Sequence, residues 1–197
     1  KLEEYINLIT PDNQVIIAFD GVSPVAKLEQ QRNRRYKTWF QKQLSSQLES
    51  TTEPSWDTTA ITPGTKFMSN LASGVSHYFS NPKKFNVNDI IVSSSNEAGE
   101  GEHKLFEYIR NNIDIYQDQA TIIYGLDADL IMLTINHLPI AKNLYLFRET
   151  PHFIRSIDKS LDPNSLYMLK IPHLAEAIIY KLNNGNAVTK RQEKNRL

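Results

Sequence analysis

The sequence contains no cysteine. Its absence excludes a disulfide framework and a zinc site built on thiolates. The chain also lacks an excess of charge of either sign, because 22 basic residues balance 22 acidic ones. A site for a polyanion must therefore come from a local cluster of basic residues. No apolar run approaches the roughly 18 residues that a membrane-spanning helix needs, and the first residues lack a signal-peptide pattern. These absences favour an intracellular protein with no membrane partner.

The chain has no initiator methionine and opens directly in a helical pattern, with apolar residues at Leu2, Tyr5, Ile6 and Ile9. We interpret it as a piece of a longer protein. Its 197 residues are enough for one sizeable core. We predict one domain over residues 1–182, with a mobile connection at about residues 45–60 that is rich in Ser, Thr and Glu. Residues 183–197 read as a polar, basic tail, a loop that leads into a missing segment.

Apolar strands alternate with helical patterns along the domain. The predicted strands are residues 15–19, 89–94, 121–125, 144–148 and 166–169, and the predicted helices include 24–47, 102–112 and 171–182. This alternation predicts an α/β fold, with a mainly parallel, twisted sheet flanked by helices.

Carboxylates follow three of these predicted strands. Asp20 comes after the first, Glu100 and Glu102 after the second, and Asp127 and Asp129 after the third. Gly99 and Gly101 give the second turn the backbone freedom to direct Glu100 inward from a loop while Glu102 enters a helix. Each acidic turn taken alone has a simpler explanation. The two later turns are also typical of a solvated helix start, and Asp20 is also typical of an Asp-Gly turn. Their recurrence predicts an acidic site at the carboxyl ends of the strands, where α/β folds bind ligands.

Five carboxylates in one crevice need cations to neutralise them. Oxygen ligands without cysteine favour a hard ion, Mg²⁺ or Mn²⁺. Two such ions, about 3.5–4 Å apart, form the usual arrangement for the attack of water on a phosphodiester. The pattern therefore predicts a two-metal hydrolytic site.

The predicted helix at residues 24–47 carries a polar, cationic stripe. Its members recur at i, i+4, i+7 and i+8, and are Lys27, Gln31, Arg34 and Arg35. An ammonium, an amide and two guanidinium groups suit a terminal phosphate, although a solvated basic face is the simpler alternative. Ser23 is predicted to cap this helix. Its apolar side is predicted to be Val25, Leu28, Tyr36 and Trp39, and Trp39 is interpreted as a core residue.

Four separated segments resemble the XRN-type 5′-to-3′ exoribonuclease family: residues 18–32, 61–68, 99–104 and 124–133. The resemblance implies a partial catalytic domain of a PIN-like or flap-nuclease-like fold. It implies that Asp20, Glu100, Glu102, Asp127 and Asp129 bind the metal ions. It also implies that the stripe of residues 27, 31, 34 and 35 selects single-stranded RNA with a 5′-monophosphate, which the enzyme degrades to mononucleotides.

Two alternatives stay open at this point. One is a related flap-type or PIN-like nuclease that cuts branched DNA. The other is a catalytically silent scaffold that binds nucleic acid, since the family's further N-terminal aspartate and its later Gly-Asn-Asp type motif are not found in this sequence. The residues alone do not distinguish RNA from DNA, the cytoplasm from the nucleus, or a cellular from a viral origin, and they identify no protein partner.

Overall fold

The computed structural model describes residues 1–48, 56–125, 127–150, 156, 158–162 and 165–185. The chain divides into two compact units, Lys1–Leu105 and Phe106–Leu197. Both are mixtures of helices and short strands, which confirms the predicted α/β class. Among the described residues, none of the helices combines the length and the apolar character needed to cross a bilayer.

The first unit begins with helix α1 (Leu2–Ile9), strand β1 (Gln14–Ala18) and the long helix α2 (Val25–Leu48). A 3₁₀ helix at Thr58–Ala60 leads to α3 (Lys66–Tyr78), and a second one at Pro82–Phe85 leads to β2 (Asp89–Ser93). Helix α4 (Gly101–Asn111) then starts in this unit. The strands and helices predicted here are confirmed to within a few residues.

Strands β1 and β2 pair in parallel, and Ala18 lies opposite Ser93 at their carboxyl ends. Their apolar side chains pack on a buried cluster made of Ile6, Ile17, Phe79, Phe85 and Val87. Because the two strands end at the same level, the loops that follow them leave the sheet side by side.

The second unit contains α5 (Ile113–Tyr116), β3 (Ala120–Tyr124), α6 (Asp129–Asn136), β4 (Asn143–Arg148), β5 (Tyr167–Lys170) and α7 (Ile171–Leu182). Strands β3 and β4 pair in parallel, and β5 joins β4 in the antiparallel direction. Leu144, Phe147 and Ile171 are fully buried at the centre of this unit. In the described residues the strands thus form two small sheets, one in each unit. A single mainly parallel sheet stays a prediction.

Helix α2 differs from its prediction in two ways. Ser23 does not cap the helix: its buried hydroxyl makes no hydrogen bond within the described part of the chain. The predicted apolar side, Val25, Leu28, Tyr36 and Trp39, is exposed to solvent, so the interpretation of Trp39 as a core residue is wrong. Helical spacing identifies which residues share a face, and burial additionally requires another element to cover that face.

The predicted mobile connection falls largely outside the described residues, since 49–55 are not among them. Helix α2 continues through residues 45–48, and a 3₁₀ helix occupies Thr58–Ala60. Of the predicted tail, residues 183–185 form a turn after α7, and 186–197 lie outside the described residues.

Candidate active site

The loops after β1 and β2 are joined by their backbones. The Gly21 amide donates to the Gly99 carbonyl at 2.8 Å, and the Gly99 amide donates to the Val22 carbonyl at 3.1 Å. These reciprocal bonds hold the Asp20 turn against the turn that carries Glu100.

Glycine is required where the two loops meet. A Cβ atom built at Gly21 would lie 1.7 Å from the Glu97 carbonyl oxygen. One built at Gly101 would lie 2.9 Å from the Ala18 carbonyl oxygen. Gly99 adopts a φ of 99°, in the region that favours glycine. The role predicted for Gly99 is confirmed. Gly101 permits a close approach, and the equivalent role of Gly21 was missed.

The three predicted site acids of the first unit lie at the start of α4. Asp20 Oδ1 accepts a hydrogen bond of 2.6 Å from the amide of Gly101, the first residue of that helix. Glu100 precedes the helix and Glu102 lies in its first turn, as predicted. The positive end of the helix dipole favours negative charge at this place. Helix geometry and glycine packing therefore place three of the five predicted acids on one pair of loops.

Glu100 and Glu102 come together with His103. One ligand atom from each of these residues lies within 4.8 Å of the other two, and Asp20 is not part of this group. His103 Nε2 is 3.7 Å from Glu100 Oε2 and 3.9 Å from Glu102 Oε1. No role is predicted for His103 from the sequence. Its position directly after Glu102, three residues from Glu100, is the signal that could have indicated one. The grouped oxygen and imidazole donors fit a divalent cation.

Lys104 ties the ends of both strands to α4. Its Nζ donates to the Phe19 carbonyl at 2.9 Å and to the Ser94 carbonyl at 2.8 Å. Side chains in a helix lean toward its N-terminus, which is why a first-turn lysine reaches back to the strand ends. The sequence does not predict this role of Lys104, since hydropathy does not reveal contacts with backbone carbonyls.

The cationic stripe of α2 contacts the acidic loops through Lys27. Its Nζ lies 2.9 Å from Glu100 Oε1 and 2.7 Å from Glu100 Oε2. Gln31 is half-buried, and Arg34 and Arg35 are exposed. The structure therefore brings one member of the predicted phosphate-binding set into direct contact with one predicted metal ligand.

The remaining two acids belong to the second unit. Asp127 and Asp129 follow β3, both are exposed, and Asp129 is the first residue of α6. Within their own unit they lie beyond the carboxyl end of a strand that pairs in parallel with β4, as predicted. Their convergence with Asp20, Glu100 and Glu102 stays a prediction.

Comparison with known proteins identifies the family. A family model described as the XRN 5′-3′ exonuclease N-terminus matches residues 1–150. The chain is 37% identical to the 5′-3′ exoribonuclease 1 of Saccharomyces cerevisiae over 191 residues, which cover 89% of this chain and 12% of that protein. It is 32% identical to the 5′-3′ exoribonuclease 2 of Schizosaccharomyces pombe over 200 residues, covering 88% of this chain and 20% of that protein.

A third relative is the 5′-3′ exoribonuclease 2 of Cryptococcus neoformans, 37% identical over 157 residues that cover 68% of this chain and 14% of the relative. The chain thus spans only a small fraction of the length of these curated relatives. The matched region contains the Asp20 turn, the Glu100–Glu102 turn and the Asp127–Asp129 turn. The resemblance stated from the sequence motifs is confirmed: the chain belongs to the XRN 5′-3′ exonuclease family, in the N-terminal region of that family's proteins.

Proposed function

We propose that the protein containing this chain is a 5′-to-3′ exoribonuclease, which removes mononucleotides from single-stranded RNA with a 5′-monophosphate. Family membership and the names of the relatives support this activity. The contact of Lys27 with Glu100 carries the proposal, because it sets a candidate phosphate ligand against a candidate metal ligand. We place the enzyme inside the cell, in the cytoplasm or the nucleus.

The proposed architecture is a PIN-like, mainly parallel twisted sheet with its acidic site at the carboxyl ends of the strands. The parallel pairing of β1 with β2 and of β3 with β4 supports it. The proposal requires five acids to act at one site: Asp20, Glu100, Glu102, Asp127 and Asp129.

These acids would hold Mg²⁺ or Mn²⁺, in the two-ion arrangement typical of phosphodiester hydrolysis. The residues fit such ions, because Glu100 and Glu102 offer grouped oxygen donors and the chain has no thiol. The chemistry that such ions would supply is a lowered pKa of the attacking water and stabilisation of the leaving oxyanion. The Asp20 contact with the Gly101 amide supports the proposal, because it holds the Asp20 turn against the start of α4.

The side chains proposed to bind the 5′-monophosphate of the RNA are Lys27, Gln31, Arg34 and Arg35. Their ammonium, amide and guanidinium groups match the several oxygens of a terminal phosphate. A phosphate bound by Lys27 would lie close to Glu100, since the two side chains are in direct contact. We propose that this proximity makes each cut fall one nucleotide from the end.

The test compares two RNAs of one sequence, one with a 5′-monophosphate and one with a 5′-hydroxyl, incubated with the intact protein and Mg²⁺. We expect the phosphorylated RNA to decay at least about tenfold faster, because a charge-assisted hydrogen bond contributes roughly 1.5–3 kcal/mol. Arg34→Gln should reduce this preference. Lys142→Gln is the control, because Lys142 is an exposed lysine of the second unit that pairs with Asp118.

Equal decay of both RNAs would contradict the assignment of the stripe. Cleavage of branched DNA flaps in place of linear RNA would favour the flap-nuclease alternative. A folded protein that cleaves neither substrate would favour the silent scaffold.

A further inference from the structure

Helix α2 carries a second stripe beside the one that contacts Glu100. Arg32, Tyr36 and Trp39 recur at i, i+4 and i+7, so they share one face of the helix. Tyr36 is 64% exposed and Trp39 is 51% exposed. Their ring centroids are 5.7 Å apart, which makes them one continuous aromatic surface. An exposed patch of two large aromatic rings next to guanidinium groups is typical of a binding surface.

This aromatic surface forms one wall of an open groove. Leu28, Gln31, Arg32, Arg35, Tyr36 and Trp39 line the groove from α2, and Thr59 lines it from the 3₁₀ helix at Thr58–Ala60. Its volume is about 440 Å³. Clefts that hold small molecules usually measure roughly 300–1,000 Å³, so the groove has room for a single nucleotide.

The lining chemistry indicates a nucleic acid. The described lining residues include two arginines and no acid, and the rest are two aromatic rings, an amide, a hydroxyl and a leucine. An apolar helix of a protein partner would bury both guanidinium groups without a counter-charge, which is costly. Nucleotides provide a phosphate for the arginines and a base for the rings, the combination found in proteins that bind single strands.

The groove is also continuous with the proposed phosphate-binding stripe. Gln31 and Arg35 belong to both, so a strand whose terminal phosphate lies on the stripe passes directly to the groove. We propose that this groove binds a nucleotide of the RNA substrate, with its base against Trp39 and Tyr36 and a phosphate against Arg32. Every base has an aromatic face, so the contact is tolerant of sequence. The inference rests on the exoribonuclease function proposed above.

The experiment measures the affinity of the intact protein for a 5′-monophosphorylated oligoadenylate in EDTA, by fluorescence anisotropy. Trp39→Ala should weaken binding by roughly 5- to 100-fold, the loss that removal of one stacked aromatic ring produces. Trp39→Phe keeps a ring and should stay within a few fold of the wild type. Trp56→Ala is the matched control: Trp56 is 56% exposed, packs on Phe67 and does not line the groove.

An oligonucleotide with abasic positions separates stacking from charge. The wild type and Trp39→Ala should bind it with similar affinity, because the base that Trp39 contacts is missing. Arg32→Gln should weaken the binding of both oligonucleotides.

Equal affinity of Trp39→Ala and the wild type for the oligoadenylate would overturn the groove proposal. If the 5′-phosphate preference persists in that case, only the groove assignment falls. If the wild-type protein binds neither oligonucleotide, both the proposed function and the proposed nucleotide site in the groove are wrong.

Discussion

Lys104 offers the sharpest test of how the two acidic loops are held together. Its ammonium group donates to the Phe19 and Ser94 carbonyls, so one side chain fixes the residue before Asp20 and the first residue after β2. Lys104→Met keeps most of the aliphatic stem and removes both hydrogen bonds. The backbone bonds between Gly21, Gly99 and Val22 then hold the loops without this support.

The cost of the substitution follows from the two lost contacts. A hydrogen bond that involves a charged group contributes about 1.5–3 kcal/mol. Two such bonds would contribute about 3–6 kcal/mol if fully buried, and because Lys104 is only partly buried we expect a smaller loss of about 2–4 kcal/mol for the pair. Since 1.4 kcal/mol corresponds to a factor of ten, local opening of the loops should become at least roughly 30-fold more frequent.

Hydrogen exchange measured by mass spectrometry on the intact protein reports this opening directly. The amides of Gly21 and Gly99, both bonded across the loops, should exchange at least about 30-fold faster in Lys104→Met. Lys104→Arg should restore much of the protection. Lys142→Met is the matched control: its partner is the exposed Asp118, so it should change nothing in these loops. Unchanged exchange of Gly21 and Gly99 in Lys104→Met would show that Lys104 does not hold the two loops together.

Glycine substitutions give a second set of predictions, with opposite signs. Gly21→Ala should destabilise the protein by about 3 kcal/mol or more, because its Cβ would meet the Glu97 carbonyl oxygen at 1.7 Å. Gly101→Ala should destabilise the protein less, since the closest contact of its Cβ is 2.9 Å. Gly74→Ala should stabilise by up to about 1 kcal/mol, because the site is open and lies inside α3. Denaturant unfolding of the three variants measures the order, and a Gly21→Ala variant as stable as Gly74→Ala would show that the loops do not meet as described.

The sequence predicted the elements well because their signals are local. Apolar runs such as residues 121–125 and helical spacing such as that of 171–182 depend on neighbours within a few residues, and the structure confirms both. The N-cap of α3 is an equally local feature, since Thr65 accepts a hydrogen bond from the Met68 amide at 3.3 Å.

Contacts between distant segments were much harder to predict. The bond from Gly101 to Asp20 joins residues 81 positions apart, and the Lys104 contact with Phe19 joins residues 85 apart. Hydropathy does not show which backbone carbonyl a lysine reaches. The prediction that the apolar side of α2 is buried was wrong for a related reason. Helical spacing does not show whether another element covers Tyr36 and Trp39. Both the recurrence of acids after the strands and the family resemblance predict one site for the separated acids, and their convergence stays a prediction.

We propose that the acids after the strands carry out RNA cleavage. The most direct test of this proposal is the decay of 5′-monophosphorylated RNA by the intact protein and by its Asp127→Asn variant. Asp127 is exposed, so the variant should fold normally, which circular dichroism can check. Asp118→Asn, at an exposed aspartate that pairs with Lys142, is the matched control and should degrade RNA like the wild type. We expect Asp127→Asn to lose detectable cleavage, and decay at the wild-type rate would show that Asp127 takes no part in the reaction.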